Sequence, residues 1–196
     1  VTSLGKSTFA ACPNLTSVTL STGLTSIPEK CFYPLSGLVS IHIPASVATI
    51  GVDAFQFCRH LTSVTFEEGL ITIGPRAFSG CEKLAAVNLP DSLTSIAENA
   101  FLKCESIASL TFGTGLREIG RSAFQQCFNI PALVLPRNVA FIGASAFEQC
   151  RLIENLIIPE SVTTLEGAAF WKCSSLQSLT LASGLTEISV LAFGDC

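Results

Sequence analysis

Leu61-Thr62-Ser63-Val64-Thr65-Phe66-Glu67-Glu68-Gly69-Leu70-Ile71-Thr72-Ile73-Gly74-Pro75-Arg76-Ala77-Phe78-Ser79-Gly80-Cys81-Glu82-Lys83 is one period of a plan that the chain follows from end to end. Its phenylalanine returns every 23 residues without a slip, at Phe9, Phe32, Phe55, Phe78, Phe101, Phe124, Phe147, Phe170 and Phe193. A large apolar side chain at a fixed period means that the chain coils and lays each Phe on the one before, so the fold class is a repeat solenoid. Three residues after Phe comes Cys in eight of nine coils, with Leu35 the exception, and six after Phe comes Leu or Ile every time. The ninth and eleventh residues, such as Val64 and Phe66 or Leu133 and Leu135, are apolar among Ser and Thr. That period of two predicts a short strand with one buried face.

The strand ends in a turn spelled in two ways. Pro44, Pro90, Pro136 and Pro159 fix φ, whereas Gly23, Gly69, Gly115 and Gly184 allow positive φ. Apolar residues then recur three apart, as at Leu70 and Ile73, with Thr between, which predicts a second short extended segment. The period closes on Ala-Phe-x-x-Cys, as in Ala77 to Cys81, where one helical or 3₁₀ turn is expected to carry Phe and Cys inward. One coil cannot bury this surface alone. Stacked about 4.8 Å apart, the coils bury it against their neighbours, at roughly 1.5–3 kcal/mol per large side chain.

An unbroken repeat makes residues 1–196 a single quasi-linear domain of about eight repeats. Hydrophobic residues are 48% of the chain, yet no run approaches the roughly 20 apolar residues of a membrane helix, so no membrane insertion by this segment is expected. Net charge is -4 and the 11 Lys and Arg are scattered singly, unlike the clustered basic face that holds a phosphate backbone, so no nucleic acid partner is expected. Both ends fall inside a repeat without a polar cap, which reads as a segment of a longer protein. Asn14-Leu15-Thr16 forms a glycosylation sequon.

The run Leu61 to Phe66, with Gly69-Leu70, Ile73-Gly74 and Ala77-Phe78-Ser79-Gly80-Cys81, resembles the 23-residue leucine-rich repeats of BspA-like and Treponema-type surface proteins. The match covers all eight complete coils. It departs from the better-known leucine-rich pattern in that the Asn or Cys after the strand is replaced, as by Gly69 or Ser92, and only Asn138 is retained. The resemblance implies a right-handed leucine-rich-repeat coil, with a parallel β-sheet of short strands on one face. It also implies a cell-surface or secreted location, a partner that is another protein such as a surface or matrix protein, and no catalytic residues.

Nine cysteines suggest disulfides or a metal site, but the Cys-x-x-Cys spacing of metal sites never occurs. The period stacks the thiols on the inner side. They are either small buried hydrophobes or, in part, disulfides between neighbouring coils; the odd count leaves at least one free. Cys31 takes an Ala slot beside the coil in which Leu35 displaces Cys, consistent with local repacking. His42 and His60 lack a repeat-defined Ser, Cys or carboxylate partner, and Glu67, Glu68, Glu118, Glu154, Glu160 and Glu166 fall at outward positions of different coils. No catalytic residue, cofactor or metal ligand is assigned. Binding is expected instead at the outward residues of the first strand: Thr19, His42, Thr65, Asn88 and Thr111, then the apolar Ala132, Val134 and Ile157. Phe141, in an outward slot of the second segment, and Trp171, directly after a core Phe, join the candidates. These readings point to a non-enzymatic protein-binding or adhesion scaffold. The alternatives are a structural subunit or spacer of a larger assembly, and Ser/Thr-ladder recognition of an ordered surface such as a glycan or ice.

Overall fold

The computed structural model describes residues 1–10 and 12–196. The coils contribute short strands to two parallel arrays. The second segments, β1 (Ser26–Ile27), β3 (Thr49–Ile50), β5 (Thr72–Ile73), β7 (Ser95–Ile96), β9 (Glu118–Ile119), β10 (Phe141–Ile142) and β12 (Thr164–Leu165), pair in that order as one seven-stranded sheet. The first strands form β2 (Ser40–Ile43), β4 (Ser63–Phe66), β6 (Ala86–Asn88) and β8 (Ser109–Thr111), and separately β11 (Asn155–Ile157) with β13 (Ser178–Thr180). Partners stand one period apart, as in Ile41↔Val64 and Ile73↔Ile96, so each apolar residue lies over its own equivalent. Alternation sends Ile41 and Ile43 inward and His42 outward, as the period of two predicts.

The phenylalanines form one continuous stack. Neighbouring rings lie 4.7 to 5.5 Å apart between centroids, with planes within 12° of parallel. Phe32 through Phe170 are wholly buried. From Cys58 onward the ladder thiol does more than fill space: Cys81 Sγ donates to the Phe55 carbonyl at 3.2 Å and Cys104 Sγ to that of Phe78 at 3.1 Å. The same Phe55 carbonyl accepts the Cys58 amide at 3.1 Å. Both lone pairs of a buried carbonyl are thereby used. An Ala or Val in the Cys slot would fill volume without supplying this donor. Cys31 and Leu35 are both fully buried, so the swapped pair repacks inside the core as expected. Every described cysteine is a free thiol.

The segment around Phe corrects one expectation. No helix or 3₁₀ turn forms there among the described residues. Linked turns run through it instead, as in Ala54 N–H to Gly51 C=O, Gln56 to Asp53 and Cys58 to Phe55. The residue two before Phe takes positive φ in every coil, from Lys30 (55°) and Asp53 (56°) to Ala168 (57°). Among the described residues so does the residue two after, as at Phe57 (59°), Gly80 (73°) and Lys103 (59°), but not at Pro34, whose ring forbids it. Alternating right- and left-handed residues aim successive N–H groups the same way. Asp53, Phe55 and Phe57 accordingly donate to the carbonyls of Pro75, Ala77 and Ser79 in the next coil. A helix would turn those amides back on its own chain and leave the coils unlinked on this side. Each non-glycine left-handed residue costs on the order of 1–2 kcal/mol, which the intercoil ladder offsets. Arg76 and Asp53 occupy this slot in adjacent coils and form a bidentate ion pair at 2.7 and 3.2 Å. Through that hydrogen bond the Asp53 carboxylate raises the Arg76 pKa further.

Candidate partner-binding surface

The first-strand sheet has a break, and a single proline opens its β8 side. Seven residues after Phe, the backbone N–H of each coil donates to the same position in the coil before: Val39 to Thr16, Thr62 to Val39, Ala85 to Thr62 and Ala108 to Ala85. Pro131 holds that position in the next coil and has no N–H to give. The Ala108 carbonyl accepts no hydrogen bond, and residues 128–135 make no backbone–backbone hydrogen bond among the described residues. Leu133 and Leu135 remain buried at 4% and 7% exposure, so the core is continuous beneath a sheet that is not. The strand pairing stops at β8 and resumes only at β11.

This absence of pairing has a measurable consequence. The amides of Ala132 and Val134 are expected to exchange with solvent deuterons at least about tenfold faster than those of Ala85 and Ala108, because opening free energies fall where backbone bonds are unmade. Equal protection at the four sites would mean that the sheet is closed in solution.

Beside the break lies a cleft of about 690 Å³, lined mostly by apolar surface from residues 132–135 on one side and Asn155, Ile157 and Pro159 on the other. Val134 is 79% and Ile157 65% exposed. Arg137 and Glu160 flank it at the turn. Glu160 is committed, since its Oε2 accepts from the Ser183 amide at 3.0 Å and the Ser183 hydroxyl at 2.7 Å. Arg137 forms no ion pair and no side-chain hydrogen bond among the described residues.

The other candidates divide among three sides of the coil. Thr19, His42, Thr65, Asn88 and Thr111 are exposed on the first-strand face, as are Ala132, Val134 and Ile157. Several are bonded along the column: His42 Nε2 lies 3.1 Å from Glu67, and the Thr111 hydroxyl donates to Asn88 Oδ1 at 2.9 Å. Phe141 is half-buried on β10, in the other sheet, between Glu118 and Thr164. Trp171 sits in the turn region, where its Nε1 donates to Asp195 at 3.1 Å and Lys172 lies 4.1 Å over its ring. Neither joins the cleft. The structure adds Arg137, Asn155 and Pro159 to the surface, and Pro131 where the ladder to β8 is lost. Only Pro131 carried a signal in sequence, as a proline at a position where every other coil has a donor.

The described residues hold no cluster of three or more His, Cys, Asp or Glu suited to a metal ion. His60 Nδ1 lies 2.8 Å from the Ser36 carbonyl, and neither histidine hydrogen-bonds a serine or cysteine side chain among the described residues. No helix among them is long and apolar enough to cross a membrane.

Comparison with known proteins agrees with this architecture. Among solved structures, a leucine-rich repeat protein of T. pallidum aligns with a TM-score of 0.71 at 32% identity, over 78% of this chain and 72% of its own. A leucine rich cell surface protein of Faecalibacterium prausnitzii aligns at 0.61 and 28% identity, over 92% of this chain and 57% of its own. A leucine-rich repeat protein of Eubacterium ventriosum aligns at 0.71 and 26% identity, over 76% and 40%. This chain thus spans only about half the length of the latter two. A comparison with curated proteins returns no match. The BspA type leucine rich repeat region matches in six copies over residues 2–130 and 71–196, which together take in the Phe stack, the Cys ladder and both sheets. The chain belongs to the BspA-type leucine-rich repeat family.

Proposed function

We propose that this repeat scaffold binds another protein on its first-strand face, with Val134 and Ile157 at the centre of the contact. The observation that carries this reading is the exposure of those two large apolar side chains, at 79% and 65%, in one cleft. Elsewhere in the same column the outward residues are polar, at Thr65, Asn88 and Thr111. Apolar surface concentrated where neighbouring coils are polar marks a site of association, and a few residues near the centre of an interface carry most of its energy. The likeness to a leucine rich cell surface protein of F. prausnitzii supports a surface location.

The test is affinity capture with the 196-residue protein against its Val134→Lys/Ile157→Lys variant, with retained proteins identified by mass spectrometry. The variant is expected to bind its partner at least about tenfold more weakly while keeping its thermal midpoint, because both side chains already lie in solvent. A partner held equally by both proteins removes this patch as the contact.

A further inference from the structure

The turn after β11 lacks an anion that its counterpart three coils earlier holds. Pro90-Asp91-Ser92-Leu93 and Pro159-Glu160-Ser161-Val162 fold alike. Leu93 N–H donates to Pro90 C=O at 3.2 Å, and Val162 N–H to Pro159 C=O at 3.0 Å. Ser92 and Ser161 each donate a hydroxyl to the coil before, to the Leu70 carbonyl at 2.9 Å and the Val139 carbonyl at 2.6 Å. In the first turn the Asp91 and Ser92 amides share one carboxylate, at 3.0 Å to Glu68 Oε1 and 2.9 Å to Glu68 Oε2. In the second, the Glu160 and Ser161 amides meet no acceptor among the described residues. One period before each turn stands the cause: Glu68 precedes Asp91, whereas Arg137 precedes Glu160. A guanidinium offers an amide no lone pair, but it attracts an anion that does. Glu160 cannot fill the place itself, since its carboxylate runs forward to Ser183. Asp91 behaves in the same way, reaching the Thr114 amide at 2.7 Å and hydroxyl at 3.1 Å while its own amide carries Glu68. An acid in this slot is therefore no bar to a second carboxylate on its turn.

We infer that the Glu160 and Ser161 amides, together with Arg137, form an open seat for an Asp or Glu side chain of the partner protein, whose adjoining apolar residue rests on Val134 and Ile157. Adjacent amides aimed at one point bind an anion, and the bond to an ionised group is stronger than a neutral one. Arg137 adds a full positive charge that no carboxylate of the chain engages among the described residues. Arg137, Glu160 and Ser161 line the same cleft as Val134 and Ile157, so the charged and apolar halves of the ligand are met in one place. The inference rests on the binding-face reading above and narrows it to a partner that presents an acidic residue beside an apolar one.

The probes are acetyl-Leu-Glu-amide, acetyl-Leu-Gln-amide, acetyl-Gly-Glu-amide and acetate, titrated into the isotopically labelled 196-residue protein and followed by amide NMR. Acetyl-Leu-Glu-amide is expected to shift the Glu160 and Ser161 amide protons downfield and saturably, while those of Asp91 and Ser92, already occupied, stay in place. The other three probes are expected to bind at least about fivefold more weakly, the Gln form for want of charge and the Gly form and acetate for want of apolar contact. Arg137→Gln should weaken acetyl-Leu-Glu-amide by a similar factor. Arg137→Glu should fill the seat from within the chain, as Glu68 does, so that both amides shift downfield without a probe and the probe no longer binds. Arg137 is exposed, so neither change disturbs the core. No saturable shift at Glu160 and Ser161 overturns the inference, as does equal binding of the Gln form or unchanged binding by Arg137→Glu. Acetate bound as tightly as acetyl-Leu-Glu-amide overturns it in favour of a simple anion site. A captured partner lost by Val134→Lys/Ile157→Lys but held unchanged by Arg137→Glu leaves the binding face standing and removes the carboxylate seat.

Discussion

Phe101→Ala is expected to destabilise the chain by about 3–5 kcal/mol, the cost of emptying a core aromatic site. The ring is fully buried and stacked on both faces, 5.1 Å from Phe78 and 5.1 Å from Phe124. Each parallel pair adds about 0.5–1.5 kcal/mol beyond the area it buries. Collapse cannot recover much of this, because the coil spacing is set by backbone bonds rather than by the ring. Phe78 N–H donates to Ala100 C=O, and Phe101 N–H to Ala123 C=O, both at 2.7 Å. The cavity therefore stays close to full size, and the loss belongs at the upper end of the range. Urea denaturation of Phe101→Ala beside Phe57→Ala measures it, since Phe57 is 37% exposed and lies outside the stack. A loss below about 1.5 kcal/mol at Phe101 would contradict a cavity mechanism.

The core and the two extended segments were legible because both rest on side-chain periodicity. The Phe register gives the coil, and the alternation at Val64, Thr65 and Phe66 gives a strand with Thr65 outward, as found. What stayed hidden depends on the direction of backbone groups. The left-handed residues at Asp53, Arg76 and Ser122 share no side-chain chemistry, so their common φ is set by the intercoil ladder and has no compositional mark. The thiol donors were hidden for a related reason: Cys81 reads as a small hydrophobe until the Phe55 carbonyl is seen above it. Val134 and Ile157 were legible as a patch, since two β-branched residues interrupt a polar column. Phe141 and Trp171 were grouped with them on exposure alone, and the path of the coil sends them to other sides. Pro131 was visible throughout. Its effect follows only once the seventh position is known to supply an intercoil amide.

Alkaline unfolding is expected to begin above pH 9 and to progress as pH rises toward 11 to 12. Its cause is the thiol ladder. Burial raises the Cys58 and Cys173 pKa from 9.0 to about 12, and that of Cys31 to about 11. It moves Cys81, Cys127 and Cys150 the same way, each with a further push from neighbouring thiols. An unfolded chain releases these protons from pH 9.0 upward, while the folded chain holds them until pH 11 to 12. Stability is therefore whole below pH 9 and falls as pH rises through that window. At pH 11, two units above the unfolded value, Cys58 and Cys173 alone account for on the order of 5 kcal/mol. A domain's whole stability is about 5–15 kcal/mol, and the other buried thiols act in the same direction. Urea midpoints measured under reducing conditions should fall steeply from pH 8 to pH 10.5, with thiolate absorbance appearing together with the loss of folded signal. Cys58→Ala/Cys173→Ala should start less stable at pH 8 but show a flatter dependence, because two of the linked protons are gone. Superimposed midpoints across that range, or thiolate absorbance in the still-folded protein, would show that the ladder is open to hydroxide and that its burial does not govern stability.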